Sequence, residues 1–164
     1  MDDDSEDEDR SQPLVLAEPQ PRPCAHCQIY GREDANSHEI RDCGYGSKLG
    51  DVPGCPLCNR MTHYYDGCRK RKRSPADRRH EDWKFLVEYR SGLPPVRTKM
   101  AWPDLVTNMQ PTHGFPITKD MALQVRDNHR HGTQYHDPLT RTLGDVRKNL
   151  ERLRASEVFT GMGC

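Results

Sequence analysis

The chain has 164 residues, with 25 Lys and Arg balancing 25 Asp and Glu, so its formal net charge is zero. Leu, Ile, Val and Phe together stay below the roughly 20% expected of a chain with a large core. The sequence contains no apolar run long enough to span a bilayer, and its acidic start is unlike the basic beginning of a secretory signal. We therefore expect ordered islands in a largely irregular chain and no contact with a membrane.

Residues 1–23 are predicted to form a disordered tail that is first acidic and then rich in proline. Asp2 to Asp9 is an acidic block interrupted only by Ser5. Like charges repel one another and keep such a block extended. The block is either a solubilising tail or an internal mimic of nucleic acid that competes for basic residues further along the chain.

The first cluster of metal-ligating residues lies in residues 24–43. Its four candidate ligands are Cys24, Cys27, His38 and Cys43. The spacer at residues 28–37 carries Gly and Asn, which favour a loop, and extra loop length costs little entropy. His26 is a rival ligand, but we expect it to point away, because the flanking sulfurs face the metal.

The second cluster is tighter and occupies residues 55–68. Spacers of two, four and four residues separate its candidate ligands, which are Cys55, Cys58, His63 and Cys68. Structural zinc sites are tetrahedral and closed by four sulfur or nitrogen ligands. So short a loop has almost no apolar core, and metal binding would supply most of its folding free energy.

The six clustered cysteines could be divided between metals in two ways. In one, the two Cys-x-x-Cys pairs share a single metal. A second metal would then have only three ligands, namely Cys43, His63 and Cys68. In the other, two consecutive sites each have four ligands, and we prefer it because closed sites need four. The Gly-rich segment 44–54 would then be a flexible joint, and Cys164 a bystander.

Residues 55–68 resemble the Cys-Cys-His-Cys zinc knuckle of retroviral nucleocapsid proteins and of cellular proteins that bind single-stranded nucleic acid. The resemblance implies zinc ligation by all four residues and binding of unpaired bases. The family usually has Gly at the positions of Asn59 and Thr62, and Asn tolerates the left-handed backbone that Gly would adopt. Residues 24–43 would be an atypical knuckle, which makes two zinc ions in total.

A basic run opens the next segment, residues 69–92. Such cations suit phosphate contact, with an affinity that falls as salt rises, and the run could also direct the protein to the nucleus or merely offset the acidic tail. We expect a nuclear protein, with the cytoplasm as the alternative. The predicted nucleic-acid-binding residues are Arg60, Tyr64, Arg69, Lys70, Arg71, Lys72 and Arg73. Tyr30, Tyr45 and Tyr65 are further candidate stacking surfaces.

The rest of residues 69–92 is predicted to be an amphipathic helix. Ser74 and Pro75 provide a helix start, and Gly92 a stop after Ser91. The inward stripe would consist of Trp83, Leu86, Val87 and Arg90. This stripe packs either on the zinc sites and later segments or on a partner protein.

Residues 93–164 are predicted to be irregular, with weak helices at 102–106, at 118–131 and from Thr142 to about Glu157. The last helix would turn inward Leu143, Val146, Leu150 and Leu153. A further group comprises His129, His131, His136 and Asp137; we interpret it as surface residues because no base or nucleophile motif accompanies it.

Together these features predict a fold class of small metal-stabilised zinc knuckles with short helices. The expected function is zinc-dependent, non-enzymatic binding of single-stranded RNA or DNA. The alternative is a protein-interaction adaptor that uses the knuckles as a structural module and its helices to contact a protein partner.

Overall fold

The computed structural model describes residues 22–106 and 110–159 of the chain, and the described residues form short helices without a β-strand. The acidic block, the proline-rich segment up to residue 21 and Cys164 lie outside these ranges. The α-helices are α1 (Ala25–Ile29), α2 (Pro75–Leu86), α3 (Trp102–Leu105), α4 (Lys119–Val125), α5 (Leu143–Lys148) and α6 (Leu150–Ser156). The 3-10 turns are Glu33–Ser37, Ile40–Asp42, Tyr65–Gly67, Glu88–Arg90 and Arg126–Asn128. Within the described ranges, no helix is long and apolar enough to cross a bilayer.

Helix α2 begins where the sequence predicts, with Pro75 in its first turn after Ser74. It ends earlier than predicted: Val87 leaves helical geometry, and the chain continues as the 3-10 turn Glu88–Arg90. The predicted inward stripe is confirmed, because all four of its side chains are buried. The earlier end changes the length of the helix but not the face that it buries.

The predicted C-terminal helix is two helices. Thr142 and Asp145 form a reciprocal capping box at the start of α5, which satisfies amide groups that the first turn leaves free. Asn149 then interrupts the helix with φ −102° and ψ 14°. Its side-chain Nδ2 donates to the carbonyl of Asp145 over 2.8 Å. Val146 and Leu153 are buried on either side of this break.

Two apolar clusters form the core, and each contains the cysteines of one metal-ligand group. The smaller cluster surrounds the cysteines of residues 24–43 and contains Ile40 and Val52. The larger cluster surrounds the cysteines of residues 55–68 and draws in α2, Trp102 of α3, and the buried side chains of α5 and α6. The apolar core is therefore assembled around the sulfur clusters, as expected for a chain with few aliphatic residues.

The segment 44–54, predicted to be a flexible joint, is instead largely buried and hydrogen-bonded. Asp51 is fully buried and pairs with Arg97 at 2.9 Å, while Ser47 Oγ donates to Asp51 over 2.8 Å. Val52 forms a parallel bridge with Val96. Gly50 has φ +84°, and a Cβ there would lie 2.3 Å from the carbonyl oxygen of Lys119. The segment 44–54 is therefore held in place by contacts with Val96, Arg97 and Lys119.

Candidate metal centres

Site A is the first of two compact groups of ligand atoms. Its members, Cys24, Cys27, His38 and Cys43, are all buried, and their ligand atoms lie within 4.8 Å of one another. Cys27 Sγ is 3.6 Å from Cys43 Sγ and 3.4 Å from His38 Nε2. With zinc bonds of about 2.3 Å to sulfur and 2.0 Å to nitrogen, tetrahedral geometry gives separations of roughly 3.8 and 3.5 Å. The measured separations are close to these values.

Site B is built from Cys55, Cys58, His63 and Cys68, whose ligand atoms also lie within 4.8 Å of one another. Cys58 Sγ and Cys68 Sγ are 3.4 Å apart. The three cysteines are buried, while His63 is only half-buried. The consecutive division of the cysteines into two four-ligand groups is thus confirmed, and the described cysteines form no disulfide.

A buried ring nitrogen shows that site B suits a cation. His63 Nε2 is buried and has no hydrogen-bond partner in the described part of the chain. A buried polar atom without a partner is costly, whereas a metal among the sulfurs would satisfy this one. Three sulfurs and one imidazole nitrogen form a donor set that a tetrahedral, thiophilic cation prefers.

Both histidines are oriented by the hydroxyl of the residue before them. Ser37 Oγ lies 3.1 Å from His38 Nδ1, and Thr62 Oγ1 lies 3.2 Å from His63 Nδ1. A ligating histidine usually makes such a bond with its other ring nitrogen, which fixes the ring orientation. In both sites Nε2 is thereby left to face the sulfurs. Thr62 thus holds the ligand from a position where knuckles usually have glycine.

The chain after each histidine follows the same path. A 3-10 turn, Ile40–Asp42 in site A and Tyr65–Gly67 in site B, leads directly to the last cysteine. In each turn the cysteine amide donates to the carbonyl of the first turn residue over 3.1 Å, and that residue is fully buried. The two sites therefore share a half with the pattern Ser/Thr-His-x-apolar-x-x-Cys. The sequence contains this repeat. The equal spacing from histidine to cysteine indicates only part of it, because the hydroxyl residue before the histidine and the apolar residue after it are not ligands.

The first halves of the sites differ. In site A, Cys24 caps helix α1, and its sulfur accepts a bond from the amide of Cys27 at 3.5 Å. In site B, the chain makes a tight turn in which Cys55 and Arg60 form a bridge. Asn59 completes this turn with φ +53°, the one positive φ of a non-glycine residue in the described ranges. The expectation that Asn tolerates this geometry is confirmed.

His26 is not among the ligands of site A. Its Nδ1 lies 3.7 Å from Cys43 Sγ, outside the four-ligand group, and its ring stacks on Tyr45 with centroids 5.8 Å apart. The structure therefore selects His38 over His26. His26 instead belongs to the buried wall behind the sulfurs.

The side chain of Asn59 connects the two sites. Its Oδ1 accepts from the amide of Ile40 over 3.0 Å, and its Nδ2 donates to the carbonyl of Pro23 over 2.7 Å. Arg22 reaches back to the carbonyl of Cys58 at 3.4 Å. The sites are thus packed side by side, and the residue that shapes the turn of site B also holds the loop of site A.

Arg90 supports site A from the interior of the molecule. It is fully buried and donates to the carbonyls of Pro94, Arg41 and Cys43 at distances from 2.5 to 2.9 Å. Burial lowers the pKa of Arg90 to about 10, so its guanidinium remains charged at neutral pH. The sequence predicts its inward position but not its carbonyl partners, since these belong to loops up to 50 residues away.

An interior network supports site B and removes two predicted nucleic-acid contacts from the surface. Tyr65 is fully buried and its hydroxyl donates to Asp82 over 2.6 Å. Arg71 donates to the same carboxylate over 2.9 and 3.1 Å and lies over the Tyr65 ring. Its side chain is only 12% exposed. Asp82, on α2, thus holds both residues inward.

The other predicted cations remain on the surface. Arg60, Arg69, Lys70, Lys72 and Arg73 are exposed, and Arg78 and Arg79 follow on the exposed first turns of α2. Tyr64 is half-buried, with the edge of Phe159 against its ring at 5.6 Å and Arg97 donating to its hydroxyl. Apart from Arg60, these exposed cations follow directly after the last ligand of site B, and the inward-facing Arg71 interrupts the run.

Burial and neighbouring sulfurs raise the pKa of several ligand thiols, whereas hydrogen bonds with Cys27 and Cys43 lower the pKa of Cys24. Burial raises the pKa of Cys55 to about 12 and also raises that of Cys58. A hydrogen bond with Cys24 raises the pKa of Cys27 to about 12. Because metals bind thiolates, loading either site releases protons.

The group of histidines near residue 130 is not the set of surface residues that we predicted. Asp137 is buried and accepts from the amide and hydroxyl of Thr118 over 2.9 and 2.6 Å. His129 is also buried, and Arg32 donates to its carbonyl. His131 and His136 are exposed, as expected. Tertiary packing thus divides a group that is compact in the sequence.

The fold and the two centres define a small, partly helical protein built around two Cys3His sites that could each hold a metal ion. Residues 20–115 match a family described as a domain of unknown function (DUF8363), and the chain belongs to this family. The matched span contains both sites, the basic run, α2 and α3, whereas α4, α5 and α6 lie beyond it. No curated protein and no solved structure matches the chain.

Proposed function

We propose that this protein is a zinc-dependent, non-enzymatic binding protein for single-stranded RNA or DNA. The observation that carries the proposal is the run of cations beginning at Arg69, all exposed except Arg71, which directly follows the Cys3His group of site B. A basic run of this kind is also typical of nuclear localisation, and the proposed location is the nucleus, with the cytoplasm as the alternative.

Zinc is the proposed metal at both sites. It accepts sulfur and imidazole ligands in tetrahedral geometry and closes structural sites with four protein ligands. Buried ligand groups with separations of 3.4 to 3.6 Å support this identity. With so few aliphatic residues to form a core, the sites would supply much of the folding free energy.

Nucleic acid is the proposed partner because the exposed cations can neutralise phosphates and release counterions. The cationic contacts consist of Arg60, Arg69, Lys70, Lys72 and Arg73. The resemblance of residues 55–68 to Cys-Cys-His-Cys knuckles supports a single-stranded partner. Arg71 is not part of this surface, because Asp82 holds it inward.

A salt titration with charge variants tests this proposal. The zinc-loaded chain is titrated with a labelled mixed single strand at several salt concentrations. We expect the affinity to fall steeply with salt, and the slope to become shallower when Arg69, Lys70, Lys72 and Arg73 are changed to Gln. The matched control changes four exposed cations elsewhere to Gln, namely Arg141, Arg147, Lys148 and Arg152. Absence of binding at low salt, or equal losses in the two variants, would overturn the proposed interface.

A protein-interaction adaptor is the second proposed function, favoured by exposed apolar side chains. Ile29, Leu49 and Leu123 are 65%, 54% and 42% exposed. Neither Tyr65 nor Tyr64 offers an open stacking face beside site B, which also favours this alternative. If no strand binds at low salt, a partner complex that is lost in Ile29→Ser and Leu49→Ser would support the adaptor.

A further inference from the structure

A cleft of about 490 Å³ lies beside site A, away from the basic run in sequence. Its wall combines the end of α1 with a short strap, residues 129–131, that follows the 3-10 turn Arg126–Asn128. The volume is within the range of roughly 300–1,000 Å³ that is usual for small-molecule sites. The side chains that decide its chemistry are Tyr30, Arg32, Glu33, Arg130 and His131.

Two exposed ring systems line the cleft. Tyr30 is 44% exposed. His131 is also exposed, and its ring stacks on that of His38, with centroids 4.3 Å apart and planes 11° apart. Because His38 is a ligand of site A, the metal centre provides a fixed support for the His131 ring. Aromatic faces of this kind accept unpaired bases without regard to sequence.

Arg32, on the opposite side of the cleft, holds the strap by a hydrogen bond to its backbone. Arg32 donates to both carboxylate oxygens of Asp34 over 3.1 Å and to the carbonyl of His129 over 3.1 Å. His129 also packs on Gly44, where a Cβ would come within 2.4 Å of its ring. A wall held in this way loses little freedom on binding, which favours affinity.

The charges of the cleft exclude a simple anion site. Arg130 is an exposed cation, but Glu33 is an exposed carboxylate in the same wall, and it would repel a bare phosphate. A ligand that suits both groups has a flat ring, amino groups for the carboxylate, and a phosphate for the guanidinium. Carboxylates accept bonds from the amino groups of bases in this way.

We propose that this cleft binds one unpaired nucleotide of a single strand. The base lies against His131 and Tyr30, its amino group faces Glu33, and the adjoining phosphate lies near Arg130. This inference rests on the proposed function and adds to it a second contact with the strand, which the strap 129–131 forms together with the end of α1. The strap lies beyond the family span of residues 20–115, so the family match does not include this half of the cleft.

The test measures the affinity of the full zinc-loaded chain for two probes. One is a mixed single strand, and the other is a strand of equal length with abasic positions. We expect the wild type to prefer the strand with bases. His131→Ala and Tyr30→Ala should each weaken binding of that strand roughly 5- to 150-fold, the range for one base–aromatic stack. Binding of the abasic strand should change little, because the phosphate contacts remain.

Three further measurements make the result decisive. His131→Phe keeps an aromatic face and should retain the preference for bases. His136→Ala, an exposed histidine outside the cleft, should bind like the wild type. Native mass spectrometry of each variant should show an unchanged metal content, so that a loss of site A is not mistaken for a loss of stacking.

Two outcomes separate failure of this inference from failure of the proposed function. If the cleft variants bind the mixed strand as tightly as the wild type, while that binding remains salt-dependent, the cleft inference is wrong and the proposed function stands. If the wild type binds neither strand at low salt, the proposed function is wrong, and the cleft inference fails with it.

Discussion

Sites A and B share one half and differ in the other, and the difference extends to their surroundings. After the histidine, both follow the same 3-10 turn to the last cysteine. Before it, site A uses a helix and a ten-residue spacer, whereas site B uses a tight turn. The ligands of site A are at most 4% exposed, while Cys58 and Cys68 of site B are each 7% exposed.

The same set of ligand types thus has two different surroundings in one chain. Site A is enclosed by side chains from distant segments, including Arg90 and the stacked His131. Site B is embedded in the larger core on one side and leads into the exposed basic run on the other. We infer that site A is the more permanent structural centre and site B the more accessible one.

Removal of both metals should have the largest effect. Because the sulfurs lie in both core clusters, we expect a strong chelator to abolish most of the helical signal and the dispersion of the amide spectrum. Structural zinc contributes about 10–16 kcal/mol in small zinc domains. Native mass spectrometry should find two zinc ions before treatment, and added zinc should restore the fold. An unchanged spectrum after complete removal would contradict this account of the fold.

The two sites should lose metal in a fixed order. Cys58 and Cys68 of site B are buried but slightly more exposed than the cysteines of site A, and His63 is half-buried, so a chelator should reach site B first. A time course by native mass spectrometry should show a one-zinc intermediate, and mild alkylation should label Cys58 and Cys68 before the cysteines of site A. Cys68→Ser should hold one zinc ion from the start and lose it in a single step, because only site A remains complete. Labelling of Cys24 or Cys43 first would show that site A is the more accessible site.

Substitution of Arg90 beside site A or of Arg71 beside site B should lower the stability of the protein by similar amounts. Arg90→Met leaves buried carbonyls around site A without a donor, and Arg71→Met leaves Asp82 of the site B network without its cation. We expect each change to lower the free energy of unfolding by about 2–4 kcal/mol, measured by denaturant titration with zinc present. Arg73→Met, at an exposed position, is the control and should change it by less than about 0.5 kcal/mol.

Substitution of Asn59 should give the smallest effect and test the connection between the sites. Asn59→Gly keeps the left-handed turn but removes the bonds to Ile40 and Pro23. We expect a loss of about 1–2 kcal/mol in the free energy of unfolding. Asn59→Ala should cost roughly 1 kcal/mol more, because φ +53° strains a side chain with Cβ. Equal losses in the two variants would show that backbone strain is unimportant here.

Several features were predictable because they depend on residues close together in the chain. The ligand groups follow from short spacers, the start of α2 from Ser74 and Pro75, and the start of α5 from the reciprocal bonds of Thr142 and Asp145. Asn59 was predictable for the same reason, since the turn that it completes spans only Cys55 to Arg60. Local spacing and capping are sufficient to predict such features.

Other features were not predictable because their causes lie far away in sequence. Tyr65 and Arg71 look like surface residues until Asp82, on α2, brings them inward. The segment 44–54 resembles a joint by composition, yet Arg97 and the backbone of Lys119 fix its position. Asp137 is close in sequence to His136 and is predicted to lie on the surface with the histidines, but its hydrogen bonds with Thr118 hold it in the interior.

The sequence by itself determined the two groups of metal ligands, their division into consecutive sites and the starts of the main helices. Only the tertiary structure decided which cations and tyrosines face the solvent, and how site A is enclosed by the C-terminal part of the chain. The physical reason is that ligand spacing and capping act over a few residues, whereas burial depends on partners that only the folded chain brings together.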